Sequence, residues 1–274
     1  MLKKIKRFIL ENYKFMIILI VLVFTFTYEF PYVVYTPGGI VNLEKRIDVE
    51  KKVEKKGSLN MSYVTLRKGN IPSILLSFVI PDWDLLKESE VTIDDESVDD
   101  LLKMEKLYMA SSIDNATILA YKKANKEINI TNNVNNVIYV DDLAKTDVQV
   151  YDQIISVDKN NISDINDLKK YISTKNENDI VYFRVKNNGK EKTRKAQVIK
   201  INNELKVGIA FLTTYEYETI PEIKIKTKAS ESGSSGGLML SLAIYNSLID
   251  EDITKGKKVV GTGTIDINGN VGKI

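Results

Sequence analysis

The chain contains neither cysteine nor histidine among its 274 residues. That double absence removes disulfides, thiol nucleophiles and the usual zinc ligand sets. It also removes Ser-His-Asp catalysis, so a serine nucleophile would need a lysine, a carboxylate or an N-terminal amine as its base, with lysine the realistic choice. No G-x-x-x-x-G-K-[ST] sequence occurs, which excludes a P-loop ATPase. Neither sign of charge dominates: 39 basic residues face 37 acidic ones, so no strongly basic face for nucleic acid is expected. What remains is ordinary folding material, 43% apolar and 28% charged. The length suits a membrane segment plus two globular domains at roughly 100–150 residues each.

Lys3, Lys4, Lys6 and Arg7 precede Phe15 to Tyr28, an uncharged and largely apolar run of 14 residues. Lys14 can snorkel toward headgroups, and Tyr28, Phe30, Tyr32 and Tyr35 suit an interfacial aromatic belt, so the run reads as a membrane anchor. The basic cluster stays cytoplasmic by the positive-inside rule, which places the rest of the chain outside. The segment Thr25 to Pro31 is bulky and offers no A-x-A-like cleavage site, so the anchor is expected to remain uncleaved. A buried core helix is the alternative reading of so short a run.

Pro37-Gly38-Gly39 reads as a turn, and the charge-dense stretch Glu44 to Gly57 as an edge strand with its connection. Ser73 to Ile80 is apolar and β-prone, whereas Val98, Leu101, Met104 and Tyr108 recur at helical spacing. Asp94, Asp95, Glu96, Asp99 and Asp100 are read as the solvated start of that helix, and no metal is assigned. Strands are expected at Asn136 to Val140 and Gln153 to Asp158, with a turn at Asn160-Asn161. Ser163 is expected to cap a helix whose face carries Ile165, Leu168 and Ile172. Val181, Phe183 and Val185 alternate along a strand, Asn187-Asn188-Gly189 turns it, and Gln197 to Ile201 pairs back.

Within this segment, Val150 to Asp158 resembles the "GD-I-I-x-I-D/N" strand of PDZ domains, a likeness covering about residues 130–200. Tyr151 stands where the family has glycine, and Asn136 to Asp147 holds no Gly-rich carboxylate-binding loop. The resemblance implies strand addition of an extended peptide to a sheet edge. A scaffold without a free groove is the alternative.

Further on, Glu231-Ser232-Gly233-Ser234-Ser235-Gly236-Gly237 opens directly into the apolar stretch Leu238 to Leu248, after the β-like Glu222 to Thr227. Small residues at a helix start let another backbone approach and leave N–H groups free to attract negative charge, which suits a phosphate or an oxyanion. A flexible linker is the plainer reading of the same composition. Together with Gly261-Thr262-Gly263-Thr264-Ile265-Asp266 and the turn Gly269 to Ile274, however, Gly233-Ser234-Ser235-Gly236-Gly237 resembles the G-P-S-A-G loop, T-G-E-I strand and G-x-V-x-x-I turn of Lon-type Ser-Lys proteases. With the anchor and the PDZ-like segment, the order is similar to that of the PDZ-containing, membrane-bound Lon-like proteases of Gram-positive bacteria.

This resemblance implies that Ser235 is the nucleophile and that backbone N–H groups around Gly233, Ser234 and Gly236 form the oxyanion hole. Ser234 replaces the family's proline and Gly236 its alanine, which loosens the loop without removing its chemistry. The family's lysine base comes roughly forty residues after the serine, just past Ile274, so these 274 residues are expected to be an inactive fragment. Lys255, Lys257, Lys258 and Lys273 are expected to be surface charges. Leu238, Leu240, Leu242 and Ile244 are expected to need the later elements for burial, and the 274 residues to be poorly stable without them.

The expected fold is α+β: a transmembrane helix in residues 1–35, an α+β region in 36–125, a PDZ-like β-rich domain in 126–202 and a partial Lon-type proteolytic α/β domain in 203–274. The expected function is ATP-independent endopeptidase activity outside the membrane on extended peptide or protein segments. No cofactor is expected. The alternatives are a membrane-tethered peptide-binding scaffold and anion binding at Gly233 to Gly237 without catalysis. Lon-type domains often form rings, so a homo-oligomer stays open.

Overall fold

The computed structural model describes residues 2–50, 55–92 and 97–272. The chain opens with helix α1, Leu2–Thr27, interrupted at Asn12, whose φ of −116° and ψ of 15° break the helical path. The window Leu10–Thr27, which includes that break near its start, gives 18 residues long and apolar enough to cross a membrane, with none of the window buried in protein. At about 1.5 Å per residue this approaches the thickness of a bilayer core. Thr25 and Thr27 donate their hydroxyls to the carbonyls of Val21 and Val23, which satisfies both within the helix.

Strand β1 is Phe30–Asn42, followed by β2, Ile47–Val49, and β3, Ser58–Gly69. Helix α2, Ile71–Ser77, then leads to β4, Asp84–Lys87, the single turn α3, Glu88–Val91, and the long helix α4, Val98–Lys123. Contacts divide the molecule into two units: Met1–Ile40 with Ser62–Leu102, and Val41–Met61 with Lys103–Ile274.

In the first unit β1 lies between β3 and β4, antiparallel to β4 with Tyr32 opposite Lys87 and Tyr35 opposite Asp84. The turn expected at Pro37-Gly38-Gly39 is absent, because β1 runs straight through it. Gly38 is required there for another reason: a Cβ would overlap the ring and carbonyl of Tyr63. Ser73 to Ile80, expected as β-prone, instead belongs largely to α2. Asn70 accepts from the Ser73 amide at 3.0 Å while Ser73 Oγ accepts from the Asn70 amide at 2.9 Å, and Pro72 sits in the first turn. That reciprocal cap overrides the β propensity of the residues behind it. Asp99 and Asp100 do lie in the first turn of α4, whereas Asp94, Asp95 and Glu96 fall outside the described residues.

The second unit adds β5, Glu127–Val140, β6, Gln153–Val157, and β7, Asn160–Asn161. Helix α5, Ile165–Ile172, is followed by the hairpin β8, Ile180–Asn187, and β9, Lys190–Gln197. Then come β10, Ile199–Ile201, β11, Glu204–Lys206, β12, Ile209–Ile220, and β13, Ile223–Ile225. Helix α6, Gly237–Leu248, precedes β14, Lys258–Gly261, β15, Thr264–Ile265, and β16, Val271–Gly272.

The main sheet runs β12-β5-β6-β8-β9, with β7 paired to β6. Val181, Phe183 and Val185 point to one face and are fully buried with Val137, Val157 and Leu168. Several local expectations shift. The tight turn falls at Asp158 and Lys159, both at positive φ, so Asn160 and Asn161 form β7 instead of the turn. Asp164, not Ser163, caps α5, accepting from the amides of Asn166 and Asp167. The strand pairing back on β8 is Lys190–Gln197, and Ile199–Ile201 pairs onward with β11. Tyr151 adopts φ +69°, the left-handed conformation that favours glycine.

A second core lies around α6. Leu240 and Ile244 are buried against Ile47, Val49, Leu59, Ala116, Ala120 and Tyr121, while Leu238 and Leu242 are half-buried. The expectation that these positions wait for later elements fails for Leu240 and Ile244, because α4 and β2 cover them. Each such burial contributes about 1.5–3 kcal/mol. The parallel pairing of β14 with the start of β3, Lys258 opposite Ser58, ties the elements around α6 to the early chain.

Candidate functional site

The junction before α6 is held from both sides. Arg46 pairs with Glu231 at 2.6 Å and donates to the Lys226 carbonyl, and Glu231 in turn accepts from the Lys228 amide. Gly233, at φ +92°, donates its N–H to the Glu105 carbonyl at 2.9 Å. Ser112 Oγ donates to the Ser234 carbonyl at 2.9 Å. The Ser235 carbonyl accepts twice, from the Gly263 amide at 2.6 Å and Thr262 Oγ1 at 2.8 Å. Leu238 donates back to the Gly263 carbonyl at 2.9 Å. A run that reads as a flexible linker by composition is therefore an ordered turn.

These bonds bring two separately read motifs together, Gly233 to Gly237 and Gly261 to Asp266. Ser235 stands immediately before Gly236, the residue that begins α6 without a side-chain cap. Small residues are needed on both sides: a Cβ on Gly236 would overlap Met61 Sδ, and one on Gly237 would overlap Ser112 Oγ. Of the expected anion-binding amides, that of Gly233 is committed to Glu105. Among the described residues no acceptor meets the N–H groups of Ser234, Ser235 and Gly236. Those three lie at a helix start, where developing negative charge is favoured.

Glu105, missed by sequence reading, borders this loop from α4. Burial raises its carboxyl above the ordinary range, and burial followed by the charge of Glu105 raises the Tyr108 phenol. No lysine among the described residues hydrogen-bonds to Ser235. Lys255, Lys257 and Lys258 are exposed, and Lys273 lies outside the described residues. No group of three or more metal-ligating side chains gathers among the described residues.

The main sheet offers a second kind of surface. Its strand β5 is interior, with β12 along its whole length on one side and β6 on the other. The outer edge of β9 is occupied at residues 195–197 by the segment around Thr146, through Asp147 N–H to the Lys195 carbonyl and Gln197 N–H to the Lys145 carbonyl. The outer edge of β12 is met by α4, where Ser111 Oγ donates to the Thr213 carbonyl and Asp114 accepts from the Tyr215 amide at 2.8 Å. Residues 190–193 of β9 keep an open edge among the described residues.

Asp114 is unusual. Burial pushes its carboxyl from 3.8 up to about 6 despite the Tyr215 and Tyr217 hydrogen bonds, and burial pushes the neighbouring Tyr217 up to about 12. A raised folded-state value means stability that is fully present below the unfolded value and is lost as pH climbs through the folded one. Asp114→Asn is therefore expected to abolish the loss of stability between pH 4 and 6 and to gain roughly 1–2 kcal/mol at neutral pH, after discounting for partial exposure. Urea unfolding midpoints of both proteins across that range check it. Equal slopes would show that the carboxyl titrates normally.

Residues 129–198 match the family model described as PDZ domain, and a PDZ domain is present in the chain. Among solved structures, the PDZ domain of the SdrC-like protein from Listeria monocytogenes is similar, at 20% identity and a TM-score of 0.28, over 30% of this chain and 92% of that one. No curated protein matches.

Proposed function

We propose that the chain is the peptide-recognising and nucleophile-bearing part of a membrane-anchored, ATP-independent serine endopeptidase. In this reading Leu10–Thr27 of α1 is the anchor, Lys3, Lys4, Lys6 and Arg7 ahead of that window are cytoplasmic, and the PDZ domain and Ser235 act outside the membrane on extended segments of secreted or membrane-associated proteins. The observation that carries the reading is the convergence at Ser235: Thr262 and Gly263 clamp its carbonyl while the amides of Ser234, Ser235 and Gly236 stay open at the start of α6.

Ser235 Oγ adds to the scissile carbonyl while a lysine amine, which the resemblance to Lon-like proteases places after Ile274, accepts the hydroxyl proton. The open amides receive the oxyanion. Collapse releases the new amine terminus with that proton, and water then cleaves the acyl-serine ester. The PDZ domain supports the first step by holding a strand of substrate at a sheet edge, for which residues 190–193 are open. A second reading, a tethered peptide-binding scaffold, is favoured by the PDZ domain itself.

The test is incubation of the whole gene product, in detergent and without ATP, with casein and with a stably folded protein. Casein is expected to be fragmented and the folded protein spared. Intact casein would leave the scaffold reading.

A further inference from the structure

Helix α2 carries an apolar surface that the first unit does not cover. Leu75 is 61% exposed, Phe78 74% and Val79 78%, and no charged residue occurs from Ile71 to Ile80. A contiguous exposed patch of this kind marks an interaction surface. Its position says with what. Asn70, the cap of α2, donates Nδ2–H to the Phe26 carbonyl at 3.1 Å, in the last turn of α1. Close by along the chain, Phe24 stacks on Tyr28 with ring centroids 4.7 Å apart, and Tyr28 meets Phe30 edge-on at 4.8 Å. Just beyond, Lys68 bridges Glu29 at 3.3 Å and Asp99 at 3.0 Å, as charges at a water boundary do.

Many of the segment's polar groups are satisfied within it. Asn70 and Ser73 cap each other, Ser77 Oγ donates to the Ile74 carbonyl, and the Leu75 and Leu76 carbonyls accept from the amides of Phe78, Val79 and Ile80. That local pairing lowers the cost of placing this backbone in apolar surroundings. We propose that α2 and residues 78–80 insert into the lipid interface of the leaflet in which α1 ends, so that the first unit meets the membrane at two points. The proposal rests on the reading of α1 as a membrane span. Aromatic and aliphatic side chains on a short helix at the headgroup boundary are the usual means of such contact.

The absence of cysteine makes the test free of background. Leu19→Cys, Leu75→Cys, Val79→Cys and Lys192→Cys are made singly in the full chain, labelled with an environment-sensitive fluorophore and reconstituted into phosphatidylcholine–phosphatidylglycerol vesicles. Doxyl groups placed shallow or deep on the lipid acyl chains report depth. The expected result is deep quenching at 19, shallow quenching with blue-shifted emission at both 75 and 79, and no quenching at 192. Quenching at 19 with 75 and 79 both in water would overturn the proposal and leave the anchor standing. Quenching at 75 and 79 with none at 19 would support the lipid contact of α2 while removing the span. Quenching at none of the three would remove both.

Discussion

Replacing Ser235 with alanine is expected to lower cleavage of an unstructured substrate by on the order of 10³-fold or more while leaving the melting curve unchanged. The two halves of that expectation have separate causes. Activity falls because, in the proposed mechanism, the only atom removed is the attacking oxygen. Stability holds because Ser235 is tied into the structure by its backbone carbonyl, through Gly263 and Thr262, and that carbonyl survives the change. An exposed or half-buried hydroxyl with no partner contributes at most about 0.5 kcal/mol. Loss of cleavage together with a lowered melting temperature would point to damage of the loop and not of the chemistry.

Asp152→Ala carries the largest expected cost in stability. Its side chain is 0% exposed and accepts from the Gln149 amide at 2.9 Å, Asn187 Nδ2 at 2.7 Å and Arg194 Nε at 3.1 Å. The ion pair does not by itself stabilise the fold greatly, because burying it costs desolvation of both charges. Removing one partner is different: Arg194, only 13% exposed, keeps its desolvation without its counter-charge. The expected destabilisation is about 3–5 kcal/mol, a large part of the roughly 5–15 kcal/mol available to a domain. Asp152→Asn keeps an acceptor and should cost less. Urea unfolding of the three proteins checks the order, and equal midpoints would contradict it.

Patterns that depend on near neighbours were legible. The alternation of Val181, Phe183 and Val185 marks a strand with one buried face, and Asn187 to Gly189 marks its hairpin, because period and turn chemistry are local. The face of α5 was equally plain, with Leu168 and Ile172 buried. The positive φ of Tyr151 was not read from the sequence, although a tyrosine where the PDZ family has glycine was the available signal. Helix α2 was misread because an apolar, β-prone run was weighed without its first residues: Asn70 and Pro72 were the available signal.

Pairings across the chain were not legible. Nothing near Ser58 announces that Lys258 lies beside it, and nothing near Asp152 announces Arg194. At the candidate site the two small-residue motifs could be recognised separately, whereas Glu105 and Ser112, which fasten Gly233 and Ser234, come from a helix more than a hundred residues earlier. Arg46, which fixes Glu231, comes from earlier still. Such contacts are set by tertiary packing, and no local pattern encodes them.

The most direct test of the proposed nucleophile is to trap it. The whole gene product is mixed with an activated peptide ester, quenched in acid within the first turnover, digested and analysed by mass spectrometry. The account predicts an increment equal to the acyl group on the fragment containing Ser235, absent from Ser235→Ala. An unmodified fragment, or an acyl group carried by Ser232 or Ser234 instead, would contradict it.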